Sequence, residues 1–252
     1  VLNWENDLQI PNNDKTLEVL IGKKTKKMQI EEFKEYVETN NYSVSANGVM
    51  YDKSKPGLVP SILNRWFEER VEYKNLRKKY EAEGNDTKAD FYDQKQYTQK
   101  ILLNSMYGVL GLASFRFFDL DNAEAVTTTG QMVIKTTAKI GDQYYNKELD
   151  QNKEHCIYTD TDSVFFSALP LVKKRYPHVD VTDEKIMSEK ILVIAEDVQN
   201  HINATYNVMA KKLFNIDDHR FDIKQENIAK AGIWIAKKRY AQWIINVEGH
   251  KV

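Results

Sequence analysis

The chain has 252 residues, with 36 Lys and Arg against 37 Asp and Glu, a formal net charge of -1 at pH 7 and 42% hydrophobic residues. That apolar content is enough to bury a sizeable core and excludes a disordered chain, while 10 Gly and 5 Pro exclude a collagen-like or linker-like one. No apolar run approaches the roughly 20 residues that span a bilayer. The single Cys156 leaves no internal disulfide, and Val1-Leu2-Asn3-Trp4-Glu5-Asn6 lacks the basic and apolar regions of a signal peptide, so a reducing cytoplasm is the expected compartment.

No repeat or low-complexity tract interrupts the chain, which predicts one compact unit with a projecting subdomain. In chain order, residues 29–40 space Ile30, Phe33, Tyr36 and Val37 as an amphipathic helix. Residues 42–51 alternate around Asn47-Gly48, a hairpin signal. Pro60 suits the first turn of a helix running from Ser61 to about Glu83, Gly84-Asn85-Asp86 breaks it, and a second helix runs from about Thr87 to Leu110. The two make an antiparallel helical hairpin. Beyond Phe115-Arg116-Phe117-Phe118 a long helix covers 123–149 and another covers 183–213. Strand-like residues 155–158 and 164–166 flank Thr159-Asp160-Thr161-Asp162-Ser163, a hairpin whose turn is made of carboxylates and hydroxyls. Strand-like pieces at 220–224, 230–236 and 239–247 finish the chain. The fold class is α+β, an antiparallel sheet covered by helices. Its expected parts are a helix and hairpin in 1–59, a helical hairpin in 60–111, and the sheet with the paired aspartates in 112–252.

A near-neutral chain is an unpromising nucleic-acid binder unless charge is segregated, because phosphates require local cations. Here it is segregated. Residues 61–79 hold Arg65, Arg70, Lys74, Arg77, Lys78 and Lys79 against three acids, and 224–240 hold Lys224, Lys230, Lys237, Lys238 and Arg239 against Glu226. A solvated helix face is the plainer account of any one such run.

Three sets of residues carry chemistry. Asp160 and Asp162, two apart on what the flanks suggest is a buried extended segment, would project to one side and repel unless a cation neutralised them. A hard ion such as Mg²⁺, taking one or two carboxylates plus water and phosphate oxygens, fits; the alternative is an exposed Asp-rich turn. Helices rise about 1.5 Å per residue, so Arg70 and Lys100, each 15 residues from Asn85, lie at one height. Lys74 follows Arg70 by a turn, and Asn104, Tyr107 and Gly108 follow Lys100 on one face. That face is either a platform for a triphosphate and a base pair or an ordinary surface above a packing stripe. Lys237-Lys238-Arg239-Tyr240 is either a charge-protected edge strand or a grip on a nucleic-acid backbone or groove, with Tyr240 anchoring it in the core.

Taken in order and spacing, Lys100 to Gly108, Tyr158 to Ser163 and Lys237 to Tyr240 resemble three signature motifs of family B DNA polymerases, and Trp66 to Lys74 resembles that family's first finger helix. The stretch Thr127-Thr128-Thr129-Gly130-Gln131-Met132 is most like the replicative enzymes of T-even-like bacteriophages. The resemblance runs from about Tyr36 onward. It implies nucleotidyl transfer to a primer 3'-hydroxyl on two Mg²⁺ ions, in a palm (112–252) beneath a fingers hairpin (60–111). Asp162 would ligate both metals, with Asp160 beside them. Arg70, Lys74 and Lys100 would hold the deoxynucleoside triphosphate, Asn104 would support that site, and Tyr107 and Gly108 would meet the nascent base pair. Lys238 would reach the minor groove of primer-template DNA, with Lys237, Arg239 and Tyr240 beside it. Ser163 and Glu226 would stand behind the metal site. Thr159 occupies a position where the family commonly has glycine.

The family's other palm aspartate motif, its exonuclease domain and its thumb have no counterpart here, so a palm-and-fingers segment that needs a missing upstream portion for activity is expected. A sliding clamp is a further candidate partner, and a viral segment would work in the host cytoplasm. A non-catalytic primer-template binding module and a metal-dependent nuclease or phosphohydrolase are the competing classes.

Overall fold

The structure, a computed structural model, describes residues 16–247 and 249–251. The signal-peptide reading of residues 1–6 and the beginning of the expected 1–59 segment lie outside them. The chain divides after Thr127 into two compact units. Each has its own apolar cluster.

The first unit opens with a hairpin the sequence did not announce, β1 (Thr16–Ile21) paired antiparallel with β2 (Lys24–Gln29) through a turn where Gly22 takes a φ of 62°. Its lysine-rich second strand buries only Met28, which meets Val19 and gives no alternation long enough to read. Helix α1 (Ile30–Thr39) buries Ile30, Phe33 and Val37, the stripe that its spacing predicted. Strands β3 (Tyr42–Val44) and β4 (Met50–Asp52) pair across a loop in which Gly48 has a φ of 90°. Val19, Met28, Phe33, Val37 and Val44 make the cluster. Burying each such side chain contributes about 1.5–3 kcal/mol relative to leaving it in water.

Helices α2 (Leu58–Ala82) and α3 (Asp86–Leu110) form the antiparallel hairpin. α2 begins three residues before the expected Ser61, because Gly57 supplies the extended N-cap backbone and leaves Pro60 within the first turn. Gly84 turns with a φ of 70°, and the Asn85 side chain accepts the Lys88 N–H to cap α3. Aromatic rings and charges, not aliphatic core, hold the pair. Tyr80 stacks on Tyr92 at 5.6 Å, Tyr73 tilts against the same ring at 6.2 Å, and Arg77 meets Asp93 at 3.5 Å.

Helix α4 (Leu120–Leu149) crosses the division, and the second unit continues with β5 (Cys156–Asp160), β6 (Ser163–Phe166), α5 (Leu169–Arg175) and α6 (Glu184–Phe214). It ends with β7 (Asn227–Ala236), β8 (Arg239–Val247) and β9 (His250–Lys251). The α+β class holds, and every ladder is antiparallel. The sheet is not continuous, however. β5 and β6 form one ladder and β7-β8-β9 another. The core joins Ile140 and Tyr145 of α4, Leu171 and Val172 of α5 and six residues of α6 including Ile194, Ile202, Met209 and Phe214, with Phe166 packed against it from β6.

One expectation is corrected here and one element is new. Residues 220–224 are not a strand: the Ile223 N–H donates to Asn203 Oδ1 and the Ile223 carbonyl accepts from Asn203 Nδ2, both at 2.9 Å, so its backbone groups bond to a helix side chain instead of a ladder. Phe221 and Ile223 pack on the core, which is why the segment alternates like a strand. Helix α5 was unforeseen, since seven residues are too few to show a period, yet its Leu171 and Val172 are fully buried.

Inside this core Thr137 is fully buried, its hydroxyl 2.8 Å from the Val133 carbonyl and 2.5 Å from Tyr206 Oη. Thr137→Val keeps the shape and leaves the Tyr206 hydroxyl buried without that partner. It should lower unfolding free energy by about 1–3 kcal/mol in urea titrations, and adding Tyr206→Phe should recover part of the loss.

Candidate active site and nucleic-acid interface

The paired aspartates are delivered by the two-residue turn between β5 and β6. Asp160 pairs with Ser163 across the turn residues Thr161 and Asp162, and Thr161 takes a left-handed φ of 52°. The Asp162 N–H donates to the Asp160 carbonyl at 2.6 Å, and Ser163 Oγ donates to the same carbonyl at 3.0 Å. This corrects the expected extended geometry. Asp160 ends a strand with 16% of its side chain exposed, whereas Asp162 sits in the turn and is exposed, so strand alternation does not set their common side. The hairpin is also less buried than its flanks suggested: Ile157 is exposed, while Tyr158, Val164, Phe165 and Phe166 are half-buried.

Helix α4 fixes where that turn stands. Asp142 Oδ1 accepts the N–H groups of His155 and Cys156 at 2.7 and 2.8 Å, at the root of β5. One turn on, Asn146 bonds the Lys153 backbone in both directions and meets His155 Nε2 at 3.0 Å. Phe166 stacks on Tyr145 at 5.2 Å and lies so close to Gly141 that a Cβ there would fall 2.3 Å from its ring. Gly141, Asp142, Tyr145 and Asn146 thus share one helix face and hold both strands. Sequence reasoning passed over Asp142 and Asn146, because two polar residues on a polar helix leave no mark.

The Lys237-Lys238 turn of β7 and β8 is built the same way, with Ala236 opposite Arg239 and Lys238 at a φ of 59°. The two turns interlock. The Lys238 N–H donates to Tyr158 Oη at 2.8 Å, Lys238 Nζ donates to Asp160 Oδ1 at 2.8 Å, and Tyr240 Oη reaches Asp160 Oδ2 at 3.5 Å. Beneath them Tyr158, Phe165, Trp234 and Tyr240 pack ring to ring with centroids 5.3–6.1 Å apart. The Lys238 ammonium holds the Asp160 carboxyl below the usual carboxylate range against some desolvation, and Asp160 in turn raises Lys238. One member of the acidic pair, Asp160, thus has a lysine as its counter-charge. Tyr158 was not singled out; its place at the head of Tyr-Thr-Asp-Thr-Asp-Ser was the available signal.

Lys237 and Arg239 are exposed beside this contact, and Tyr240, expected in the core, is 38% exposed. Glu226 immediately precedes β7, with that whole strand between it and the Lys237-Lys238 turn, and no hydrogen bond or ion pair joins it to Asp160 or Asp162 among the described residues.

In the first unit, Glu69 and Gln99 hydrogen-bond across the helical hairpin. Advancing one residue turns either helix by 100°, and because the helices run oppositely both steps swing toward the same side. Arg70 and Lys100 therefore share one face at one height, and Tyr107, eight residues beyond Gln99, returns to it. Arg70 Nε is buried with no hydrogen-bond partner. Lys74, Lys100, Asn104, Tyr107 and Gly108 are exposed, and a Cβ on Gly108 would meet nothing within 4 Å.

Among the described residues no group of three or more His, Cys, Asp and Glu could hold a metal ion. Two carboxylates, one of them open in a turn, are nevertheless the number that Mg²⁺ commonly takes from a protein when phosphates and water complete its shell, so the residues fit that ion. Among the described residues, no helix is long and apolar enough to cross a membrane.

The second unit thus carries a carboxylate of one hairpin paired to a lysine of another, and the first a helical hairpin bearing Arg70 and Lys100. The model of DNA polymerase family B matches residues 15–251, and the chain belongs to that family. It is 27% identical over 82% of its length to the DNA-directed DNA polymerase of Escherichia phage RB69 and 26% identical over 83% to that of Enterobacteria phage T4. It is 32% identical over 78% to a DNA polymerase of Archaeoglobus fulgidus. It spans 29%, 30% and 24% of those proteins.

Burial and the neighbouring Lys153 hold the His155 imidazole below its ordinary value, against the pull of Asp142. A histidine whose folded pKa is depressed takes up its proton more readily when unfolded, so stability falls as pH drops below about 6.5. Urea midpoints should decline from pH 7 to pH 5.5, and the decline should flatten in His155→Gln.

Proposed function

We propose that this chain is the palm-and-fingers part of a template-directed DNA polymerase and adds deoxynucleotides to a primer 3'-hydroxyl. Support comes from the family match together with the interlocked acidic and basic turns. Asp162, exposed and without a side-chain partner among the described residues, would carry the metals, with Asp160 beside it and Ser163 steadying the turn. Mg²⁺, two ions when the site is complete, would supply charge neutralisation at the attacking and leaving oxygens. Arg70, Lys74 and Lys100 would bind the triphosphate. Asn104 would support them, and Tyr107 would lie against the new base pair where Gly108 leaves room. Lys237, Lys238 and Arg239 would contact the primer-template. Phosphoryl transfer asks the protein mainly for cations and alignment, which is what these side chains offer.

Because the chain spans under a third of its relatives, we propose that the remainder supplies the further acidic ligand, Glu226 being an outer candidate, and that the isolated chain is inactive. A sliding clamp is a proposed protein partner. With phage proteins among the relatives, a host cell's cytoplasm is the proposed place of work.

Mixing this chain with polypeptides carrying the rest of a related polymerase should restore Mg²⁺-dependent primer extension. Asp162→Ala should then lower the rate about 10³-fold, the scale of several kcal/mol of metal-borne charge stabilisation. Extension indifferent to Asp162→Ala would remove it from the chemistry, and DNA binding without extension in every mixture would favour a non-catalytic binding module.

A further inference from the structure

Lys238 faces a conflict. Its motif suits contact with nucleic acid, yet its ammonium lies 2.8 Å from Asp160 Oδ1 and 3.3 Å from Thr161 Oγ1. The lysine side chain is 61% exposed and the aspartate 16%. The contact is geometrically fixed from the lysine's own backbone, since the Lys238 N–H is held by Tyr158 Oη and its φ of 59° commits the turn. Asp160 is fixed too, by its pairing with Ser163 and by Tyr240 at its other oxygen. The backbones of both partners are therefore held in place, and the exposed lysine side chain spans the remaining gap. Asp162, two residues on, carries the same charge and has no such cation among the described residues.

We infer that Asp160 and Lys238 mask one another. While paired, the lysine is withheld from DNA phosphates and the aspartate Oδ1 from any cation, so a ligand that draws either partner away opens the other's site. This rests on the proposed DNA contact but goes beyond it: Lys238 is a conditional grip, and the acidic turn sets the condition. Binding at the two sites is then coupled in both directions, as linkage requires. A duplex that engages Lys238 frees an oxygen of Asp160, and a cation seated on Asp160 frees an ammonium for the duplex.

The test needs no metal and no catalysis. Affinity of the full chain for a fluorescent primer-template duplex is measured by anisotropy in EDTA at low salt. Asp160→Asn releases Lys238 and should tighten binding about two- to fivefold, the scale of one partly exposed ion pair. Lys238→Met should weaken binding, and Asp160→Asn placed in that background should give no gain, a non-additivity that only direct coupling produces. Asp162→Asn removes the same charge without touching Lys238 and should do clearly less. Equal gains from the two aspartate variants would reduce the effect to general electrostatics and overturn the mask, as would a gain that persists without Lys238. Ordinary DNA binding by all variants at one affinity overturns the mask alone, whereas absence of DNA binding in every variant overturns the DNA contact as well. Circular dichroism of each variant identifies any that fails to fold, and Lys238→Gln then replaces Lys238→Met.

Discussion

The interlock of two hairpin turns is the constraint from which the second unit's chemistry follows. A carboxylate at the end of a strand is costly to shield from water without a counter-charge. Asp160 meets that demand with Lys238, brought from 78 residues away by a turn that needs a left-handed residue at its tip. Once those turns are joined, Tyr158, Phe165, Trp234 and Tyr240 are obliged to stack beneath them, because the registers of both ladders leave these rings facing one another.

Helix α4 sets the position of this arrangement within its unit. A glycine, an aspartate, a tyrosine and an asparagine within six residues meet four different needs: close approach for Phe166, acceptors for two strand N–H groups, a stacking surface, and a bridge to the loop before β5. The hairpin's root is tied by hydrogen bonds and its far strand by packing, and Asp160 and Thr161 take the contact with Lys238, which leaves the Asp162 side chain outside the interlock. Asp162 is exposed for that reason, and exposure is what a carboxylate needs in order to take a ligand from solvent.

The helical hairpin of the first unit follows a different logic. It buries almost no aliphatic surface, Ala89 being its only buried residue among those described. Ring stacking and polar bridges hold it, so its register is set by particular pairs such as Glu69 with Gln99 and Arg77 with Asp93. The one-residue offset from those bridges places Arg70 and Lys100 together. A structural contact thus fixes the alignment of a functional one.

Periodicity decided most of the elements by itself: Phe33 and Val37 marked α1, Gly84-Asn85 the break between α2 and α3, and alternation the β7 and β8 strands. Local spacing also determined the membership of the cationic face, since a helix has only one way to arrange residues four and seven apart. What spacing could not reach were contacts between segments distant in the chain. Residues 220–224 have a strand's alternation but bond to Asn203, and Asp160 and Asp162 have a strand's spacing but are separated by a turn. Lys238 gave no sign that its ammonium would meet Asp160. Local pattern records which side of an element is apolar, whereas the partner of a polar group depends on which other element arrives beside it, and only tertiary structure decides that.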